Sequence, residues 1–484
     1  MTERFAYDEV PYDTEANPEA HPRSMATLAR LFGLEPKAPS TARVLEIGCG
    51  DGEHMLAAAS YLPRASFVGF DLAADAVARG TSAARATGVA NVRLLHLDVR
   101  DARDMRGAGL CGEGGELFDY VVVHGVYSWV PEAIRGDILA VMRGALAPEG
   151  IGFLSVNASP GWELRRALRM LMREVSAEVE EPAEKVRVAL VLVDELAGAR
   201  GDGFVGILAA AANEYRAHVA QATPPDAPFS RYVFHDLLAE RNDPFTVAEL
   251  ETRLAAAGLR IVCETPLHRG RVKEFPGLAA DMARSGSPFL QLLVRRDDRE
   301  TPRAEPDLEA IRAMHLWADL APAPERDSYR TTTGATLRAA SGSGIARAAL
   351  SAPGFAPVAS LADDDTTLAT LGRDLLMASC EGVLSLAVDP PALRGVGPSP
   401  CVVPYVRACA RAAIERGART AVLTSALHRS FRVPLAELRV VSELDGHASL
   451  AEIARRSGAS PDLVATVIDR FARHGFLVAP EEGE

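Results

Sequence analysis

The sequence predicts an α/β protein built on a mostly parallel sheet, followed by a smaller α+β region. Three observations point there. Short apolar runs alternate with helix-like segments from residue 43 to residue 157. The alternation resumes near residue 243 and ends at residue 296. A glycine-rich turn, VLEIGCGDG (44–52), joins the first apolar run to the first helix. Strands buried on both faces read as continuous apolar runs, and the helices between them cover the sheet.

RVLEIG (43–48) is a short buried strand, EHMLAAASYL (53–62) has helical content and SFVGFD (66–71) is the second strand. AADAVARGTSAARATG (73–88) is a helix that Gly88 is placed to end. VRLLHLD (92–98), FDYVVVHG (118–125) and IGFLSVN (151–157) are further strands. EAIRGDILAVMRGAL (132–146) is amphipathic and runs into a Pro-Glu-Gly turn. Residues 160–240 read as mostly helical. Thr246 and Glu249 suit a capping box before AELETRLAAAG. GLRIVCETP and PFLQLLVRR (288–296) complete a set of seven strands, with a helical insertion after the fifth.

RRDDRETPRAEPD (295–307) reads as a linker, and residues 328–341 as a polar hairpin. The last stretch, from ELRVVSELDG to FLVAP, gives helix, turn, helix and apolar strand, a winged-helix-like pattern. The expected organisation is an N-terminal cap segment (1–40), a core (41–158), a helical insertion (159–240) and the remainder of the core sheet (241–297). A linker with a small β subdomain (298–360) and a winged-helix-like region (361–484) follow.

A chain of 484 residues is too long for one core. Hydrophobic content of 48% and charged content of 24% are globular values. A net charge of −13 argues against a nucleic-acid partner and suits small molecules or basic polypeptides. Lysine occurs only at 37, 185 and 273 while Arg and Ala abound, which reads as base composition. The cysteines at 49, 111, 263, 380, 401 and 409 form no C-x-x-C, and no His pair has ligand spacing. Neither a metal site nor a disulfide framework is expected. The acidic MTERFAYDEVPYD start lacks the apolar core of a signal peptide, and no run of about 18 apolar residues suggests a membrane span. The expected compartment is the cytoplasm.

In the glycine turn, Glu46, Gly48, Gly50 and Gly52 lie directly behind the first strand. A turn of this kind brings backbone amides against a ligand where a Cβ would block the approach. The third glycine arrives one residue earlier than in the G-x-G-x-x-G of nicotinamide enzymes. The result, E-x-G-x-G-x-G, resembles the S-adenosylmethionine (SAM) turn of class I methyltransferases, a Rossmann-like fold. Asp71 closes the second strand, where a carboxylate can accept from both ribose hydroxyls, and Asp98 closes the third, at the adenine end. Cys49, Leu72 and Val99 flank these positions, on the strand edge where such sheets bind ligands. A domain of this type that has lost its cofactor is the bland alternative; the intact glycines argue against it. The implied cofactor is SAM, leaving as S-adenosylhomocysteine.

His124 ends the fourth strand, and Tyr127, Ser128, Trp129 and Pro131 follow at once. Enzymes that methylate nucleobase amino groups carry Asn/Asp-Pro-Pro-Tyr/Phe at this point, and this chain does not. The Asp-Pro-Pro at 389–391 comes after the whole unit and reads as a turn. Trp129 could also plug the sheet against the next helix, Tyr127 could be divided between core and surface, and His124 could line the site without acting as a base. His54, on the helix after the turn, is expected to be exposed.

Four segments carry a more specific likeness: residues 7–33, 44–52, 118–131 and 155–162. With them the chain resembles bacterial class I methyltransferases that carry a methyltransferase regulatory domain, of the rickettsial protein lysine methyltransferase type. YVFHDLLAERNDPF (232–245) is similar to the regulatory segment of that family. The resemblance implies a dimer and an N-terminal segment folded over the active site. It implies that Tyr7, Tyr12 and His21 join Tyr127, Trp129, Asn157 and Trp162 around the acceptor, with His124, Tyr127, Trp129 and Tyr12 nearest the chemistry. His124 would also border the cofactor. Ala158-Ser159 departs from the bulkier residues the family has before Pro-Gly-Trp.

Methyl transfer from SAM needs alignment and exclusion of water more than acid catalysis. A lysine acceptor must lose a proton first, since its free pKa is about 10.4. A ring of Tyr and Trp would provide a dry slot for its alkyl stem and π faces for its charge. The favoured acceptor is a protein or peptide lysine. A small-molecule or natural-product N- or O-methyltransferase is the alternative, and a SAM-binding regulatory protein a second one.

Overall fold

A computed structural model describes residues 10–12, 15–111, 115–223, 229–267, 286–318, 320–325, 328–331, 336–338, 355–361 and 365–480. Tyr7 lies outside them. The main sheet comprises β1 (Arg43–Ile47), β2 (Ser66–Asp71), β3 (Val92–His96), β4 (Phe118–Val123), β5 (Leu146–Asn157), β6 (Leu259–Glu264) and β7 (Phe289–Arg296). Their order is β3-β2-β1-β4-β5-β7-β6. The first five strands run parallel, and β7 pairs antiparallel with both β5 and β6. The chain therefore reverses direction across β1, where β2 lies on one side and β4 on the other. Ligands bind at such a switch point, outside the carboxyl ends of the strands.

Helices α2 (Glu53–Ser60), α3 (Ala74–Thr87) and α4 (Glu132–Ala145) connect the parallel strands. Gly88 ends α3 in the left-handed conformation, as its place in the sequence predicts. The Thr246–Glu249 capping box opens α9 (Val247–Ala256), each partner satisfying an amide of the other's turn. Pro148–Gly150 is not a free turn. It belongs to β5, and the register with β4 jumps there, from Phe118 opposite Leu146 to Tyr120 opposite Ile151. Extra residues on one strand make a bulge, which a local reading of Pro-Glu-Gly cannot distinguish from a turn.

Among the described residues the insertion has four helices: α5 (Glu163–Val175), α6 (Pro182–Gly198), α7 (Phe204–Ala222) and α8 (Arg231–Asp236). They bury a small core of their own around Leu168, Met172, Val193 and Tyr215. The stretch after β7 is pinned rather than free. Arg303 N donates to Phe32 O at 3.0 Å, and Asp307 N to Leu31 O, just behind α1 (Pro22–Leu31). The hairpin expected over 328–341 forms as β10 (Ser328–Thr331) and β11 (Thr336–Arg338), with β9 (Leu320–Pro322) beside it and β8 (His315–Ala318) just before it. Residues 339–341 lie outside the described ones.

The C-terminal region follows β12 (Ala356–Pro357) and α10 (Asp365–Cys380). It contains β13 (Leu384–Ala387), α11 (Pro404–Glu415), the hairpin β14–β15 (Thr420–Thr424 and Ser430–Pro434) and helices α12 (Leu435–Val441), α13 (Leu450–Ser457) and α14 (Pro461–Arg473). The three final helices have the order read from the sequence. The apolar stretch after them makes single bridges, Leu477 to Val402 and Val478 to Leu393. One face of the sheet, α1 and this region share a single hydrophobic core, from Met25 and Phe153 through Tyr405 to Phe471. Polar ties cross the same seam. Tyr405 donates to Glu53 Oε1 at 2.7 Å, and Asp389 accepts the Ser40 amide on Oδ2 at 2.8 Å and Arg23 Nε on its backbone oxygen at 2.9 Å. Asp389 thus follows a strand and also ties the two regions together.

Candidate active site

The glycine turn leaves β1 and crosses the end of β2. Gly48 N and Cys49 N both donate to Phe70 O, at 2.8 and 3.1 Å. Gly48, Gly50 and Gly52 all have positive φ, at 76°, 56° and 74°, which L side chains rarely adopt. Space is equally restrictive. A Cβ on Gly48 would collide with Val126, and one on Gly52 would fall 2.8 Å from Leu94 Cδ1. Gly80 on α3 plays a part the sequence did not announce, since a Cβ there would strike the carbonyl of Asp51.

Asp71 holds the turn in shape. Its Oδ2 accepts from Gly50 N and its Oδ1 from Ala73 N, both at 2.8 Å. The two bonds fix the carboxylate at the end of β2, facing the turn. Glu46 is buried, and its Oε2 has no partner among the described residues. Burial, then Asp71 and Asp51, pushes its carboxyl up to about 8. Leu72 stands exposed beside Asp71, Cys49 is buried inside the turn, and Val99 is half-buried. Asp98 lies two residues beyond β3 and is gripped by Arg100, whose Nε donates to Oδ1 at 3.0 Å and Nη2 to Oδ2 at 2.5 Å. That guanidinium holds Asp98 below the usual carboxylate range.

His124 emerges from β4 at the same edge. Its Nδ1 lies 3.0 Å from Ser155 Oγ, which also accepts the Gly125 amide at 2.8 Å. Asn17 reaches it from the N-terminal segment, with Nδ2 3.2 Å from the ring and 2.7 Å from Gln291 Oε1. Burial lowers the imidazole to about 4, so it is neutral at pH 7. A neutral imidazole within this polar contact network suits positioning and lining.

His54 is not exposed. It is buried, and its Nδ1 accepts the Asn17 amide at 3.3 Å and lies 2.9 Å from Nε2 of His428. Helix α2 lies against the C-terminal region, so its surface position in the core alone becomes an interior one. The His21 ring packs 4.7 Å from that of His428 and its Nδ1 caps α1 at Arg23 N. His21 therefore joins this cluster rather than the end of β5.

The other expected acceptor residues divide. Tyr127 is buried, with its ring 5.4 Å from Phe245 and the Arg135 guanidinium 6.0 Å over it. Ser128 Oγ accepts the amide of Asn157 at 2.9 Å, and Asn157 Nδ2 donates to Asn242 Oδ1 at 2.8 Å. Trp129 stays half-buried one residue on. Trp162 is buried at the start of α5, with its Nε1 unpartnered among the described residues. Tyr12 packs on α8, its ring 5.3 Å from that of His235. Reading from sequence missed Asn17, Ser155 and Gln291. Only Asn17 carries a local signal, as an Asn-Pro helix start whose Oδ1 accepts from Glu19 N.

A buried Glu46 whose Oε2 has no partner among the described residues, a turn with no room for a Cβ on Gly48 or Gly52 and a carboxylate closing β2 together fit SAM. Among the described residues no group of His, Cys, Asp or Glu is placed to hold a metal ion, and no helix is long and apolar enough to cross a membrane. Residues 45–151 match a family model described as a methyltransferase domain. The uncharacterized protein RP028 of Rickettsia prowazekii is 34% identical over 192 residues, covering 40% of this chain and 73% of that protein. A second protein of that organism, RP789, is 32% identical over 39% of this chain, which spans only 32% of its length. The structure of PKMT2 from Rickettsia typhi in complex with AdoHcy superposes with a TM-score of 0.80 at 20% identity, over 97% of this chain and 100% of that one. That likeness extends the shared fold to the C-terminal region. The chain belongs to the class I SAM-dependent methyltransferases, in one family with the rickettsial protein RP028.

Proposed function

We propose that this protein transfers a methyl group from SAM to an amine, with a lysine of a protein or peptide as the acceptor. The observation that carries the cofactor side is the buried Glu46 beneath the three-glycine turn, with its Oε2 unpartnered among the described residues. SAM supplies an electrophilic methyl on a positive sulfur. The chain supplies the rest. The glycine turn, its amides tied to Phe70 O and Asp71, shapes the floor on which the nucleotide lies, and Glu46 faces the positive charge of SAM. Leu72 offers an apolar surface at the β2 end. Asp98, tied to Arg100, borders the adenine side.

The acceptor side is bounded by His124, Asn17 and Trp129. His124 and Asn17 hold one another in place, and with Phe153 and Phe289 about 6 Å from the imidazole they limit water at that edge. Four features support an amine on a polypeptide: the resemblance in segments 7–33 and 155–162, the likeness to PKMT2, the acidic balance of −13 and the aromatic residues of the N-terminal segment. A dimer and a cytoplasmic setting belong to the same proposal.

The test is incubation with methyl-labelled SAM and fractionated lysate, followed by mass spectrometry of labelled species. Label on lysine side chains of polypeptides is the expected result. Label confined to metabolites assigns the enzyme to small-molecule methylation. Cofactor binding with label in neither fraction assigns the chain a regulatory role.

A further inference from the structure

The insertion carries a second group of polar aromatic side chains, apart from the glycine turn. The Tyr12 hydroxyl donates to Asp236 Oδ2 at 3.4 Å. His235 Nε2 donates to Val10 O at 2.7 Å and fixes the course of the N-terminal segment over α8. Tyr232 stacks on Tyr215, their rings 6.2 Å apart and inclined by 27°. The Tyr215 hydroxyl is buried without a hydrogen-bond partner among the described residues, within electrostatic reach of Asp236 and Tyr12.

Asp236 is half-buried beside these aromatic side chains. Burial raises its carboxyl to about 7, against the smaller lowering effects of Tyr12 and Arg165. Arg165 does not neutralise it, being bound to Glu214 Oε1 at 3.2 Å and lying 5.5 Å over the Trp162 ring. A chain of hydrogen bonds links Asp236 to the transfer edge. Asp236 O accepts Asn242 Nδ2 at 3.2 Å, Asn242 Oδ1 accepts Asn157 Nδ2, and Asn157 ends β5, beside the strand that presents His124.

A buried hydroxyl without a partner is costly unless something fills its place. Aromatic faces around a carboxylate form a site for a cation, and a desolvated carboxylate gains more from a cationic partner than an exposed one does. We propose that Asp236 is the anionic docking point for the cationic amine of the acceptor, with Tyr12, Tyr215 and Tyr232 walling its entry. This deepens, and rests on, the amine-methyltransferase reading above.

The experiment uses the full chain, methyl-labelled SAM and a random peptide library with one fixed lysine, with the same library carrying norleucine as control. SAM affinity is measured beside it by calorimetry. Wild type should label only the lysine library. Asp236→Asn should bind SAM within twofold of wild type and raise the library KM at least tenfold, with kcat changed less than threefold. Wild-type KM should rise as pH falls below about 7, a limb absent from Asp236→Asn, which a merely structural role would not produce. Asp236→Glu, which keeps the charge, should recover most of the lost affinity. An unchanged KM in Asp236→Asn overturns the docking point, whereas no label on lysine by a wild type that binds SAM overturns the amine-methyltransferase reading on which it rests. Failure of wild type to bind SAM overturns the underlying reading itself.

Discussion

Nε2 of His428 lies 2.9 Å from Nδ1 of His54, joining residues 374 positions apart in the chain. The His54 nitrogen already accepts the Asn17 amide, so the shared proton sits on His428. Burial holds His21, His54, His124 and His428 below the ordinary value of 6.5, His54 at about 3 and His124 at about 4. His21, His54 and Arg23 add to the effect on His428. As pH falls below 6.5 the unfolded chain takes up protons before the folded one, so stability drops. One unit below, each such histidine contributes a loss of about 1.4 kcal/mol. Urea unfolding at pH 7.0 and 5.5 should register the decline, and His428→Asn should reduce it by about that amount.

Glu46 titrates with the opposite sign. Its folded value of about 8 lies above the ordinary 4.5, so its contribution to stability is complete below 4.5 and lost as pH rises through 8. A cationic ligand favours the carboxylate, so SAM binding should release a proton below pH 8. Affinity should therefore strengthen from pH 6 to pH 8, by up to tenfold per unit. Calorimetry in buffers of different ionisation enthalpy measures the released proton, and Glu46→Gln should abolish both the release and the slope.

Gly50 has φ of 56° and donates its amide to Asp71. A valine there would be β-branched in a left-handed conformation, a genuine outlier. Gly50→Val should eliminate SAM binding while the far-UV spectrum stays native. Measurable SAM affinity in a folded variant would contradict the assignment of the turn.

Trp129 and Tyr127, two residues apart, should separate in function. Trp129→Ala should leave SAM affinity nearly intact and cut turnover at least tenfold. Tyr127 packs under α4 and α9 between Phe245 and Arg135. Its removal to Ala should cost roughly 3–5 kcal/mol of stability, whereas Tyr127→Phe should retain turnover within twofold. Steady-state kinetics and thermal unfolding on the three variants distinguish wall from core.

The sheet was legible because its signals are local. Three glycines and two aspartates stand at successive strand ends, and each connection is short enough to read as a unit. Gly88 and the Thr246–Glu249 box were legible for the same reason, since a cap is satisfied within one turn of helix. What escaped depends on distant partners. His54 looks like surface until the C-terminal region covers it, and Asn17 becomes a site residue only because the N-terminal segment folds back onto β4 and β7. Gly80 reads as a weak point in a helix, yet it is where α3 meets the glycine turn. The stretch after β7 has the composition of a free linker, and two backbone bonds to the end of α1 decide otherwise.

The joint at Asp389 constrains how this protein can change over time. The Ser40 amide and the Arg23 guanidinium both donate to it across the seam with the C-terminal region. Gene shuffling that moved residues 1–300 onto a foreign tail would take away the acceptor of the Ser40 amide and of Arg23 Nε. The donor at 40 is a backbone amide and the acceptor for Arg23 a backbone oxygen, so the joint asks for a carboxylate at 389 and a long donor at 23 rather than for a serine, and the two halves should be inherited as one.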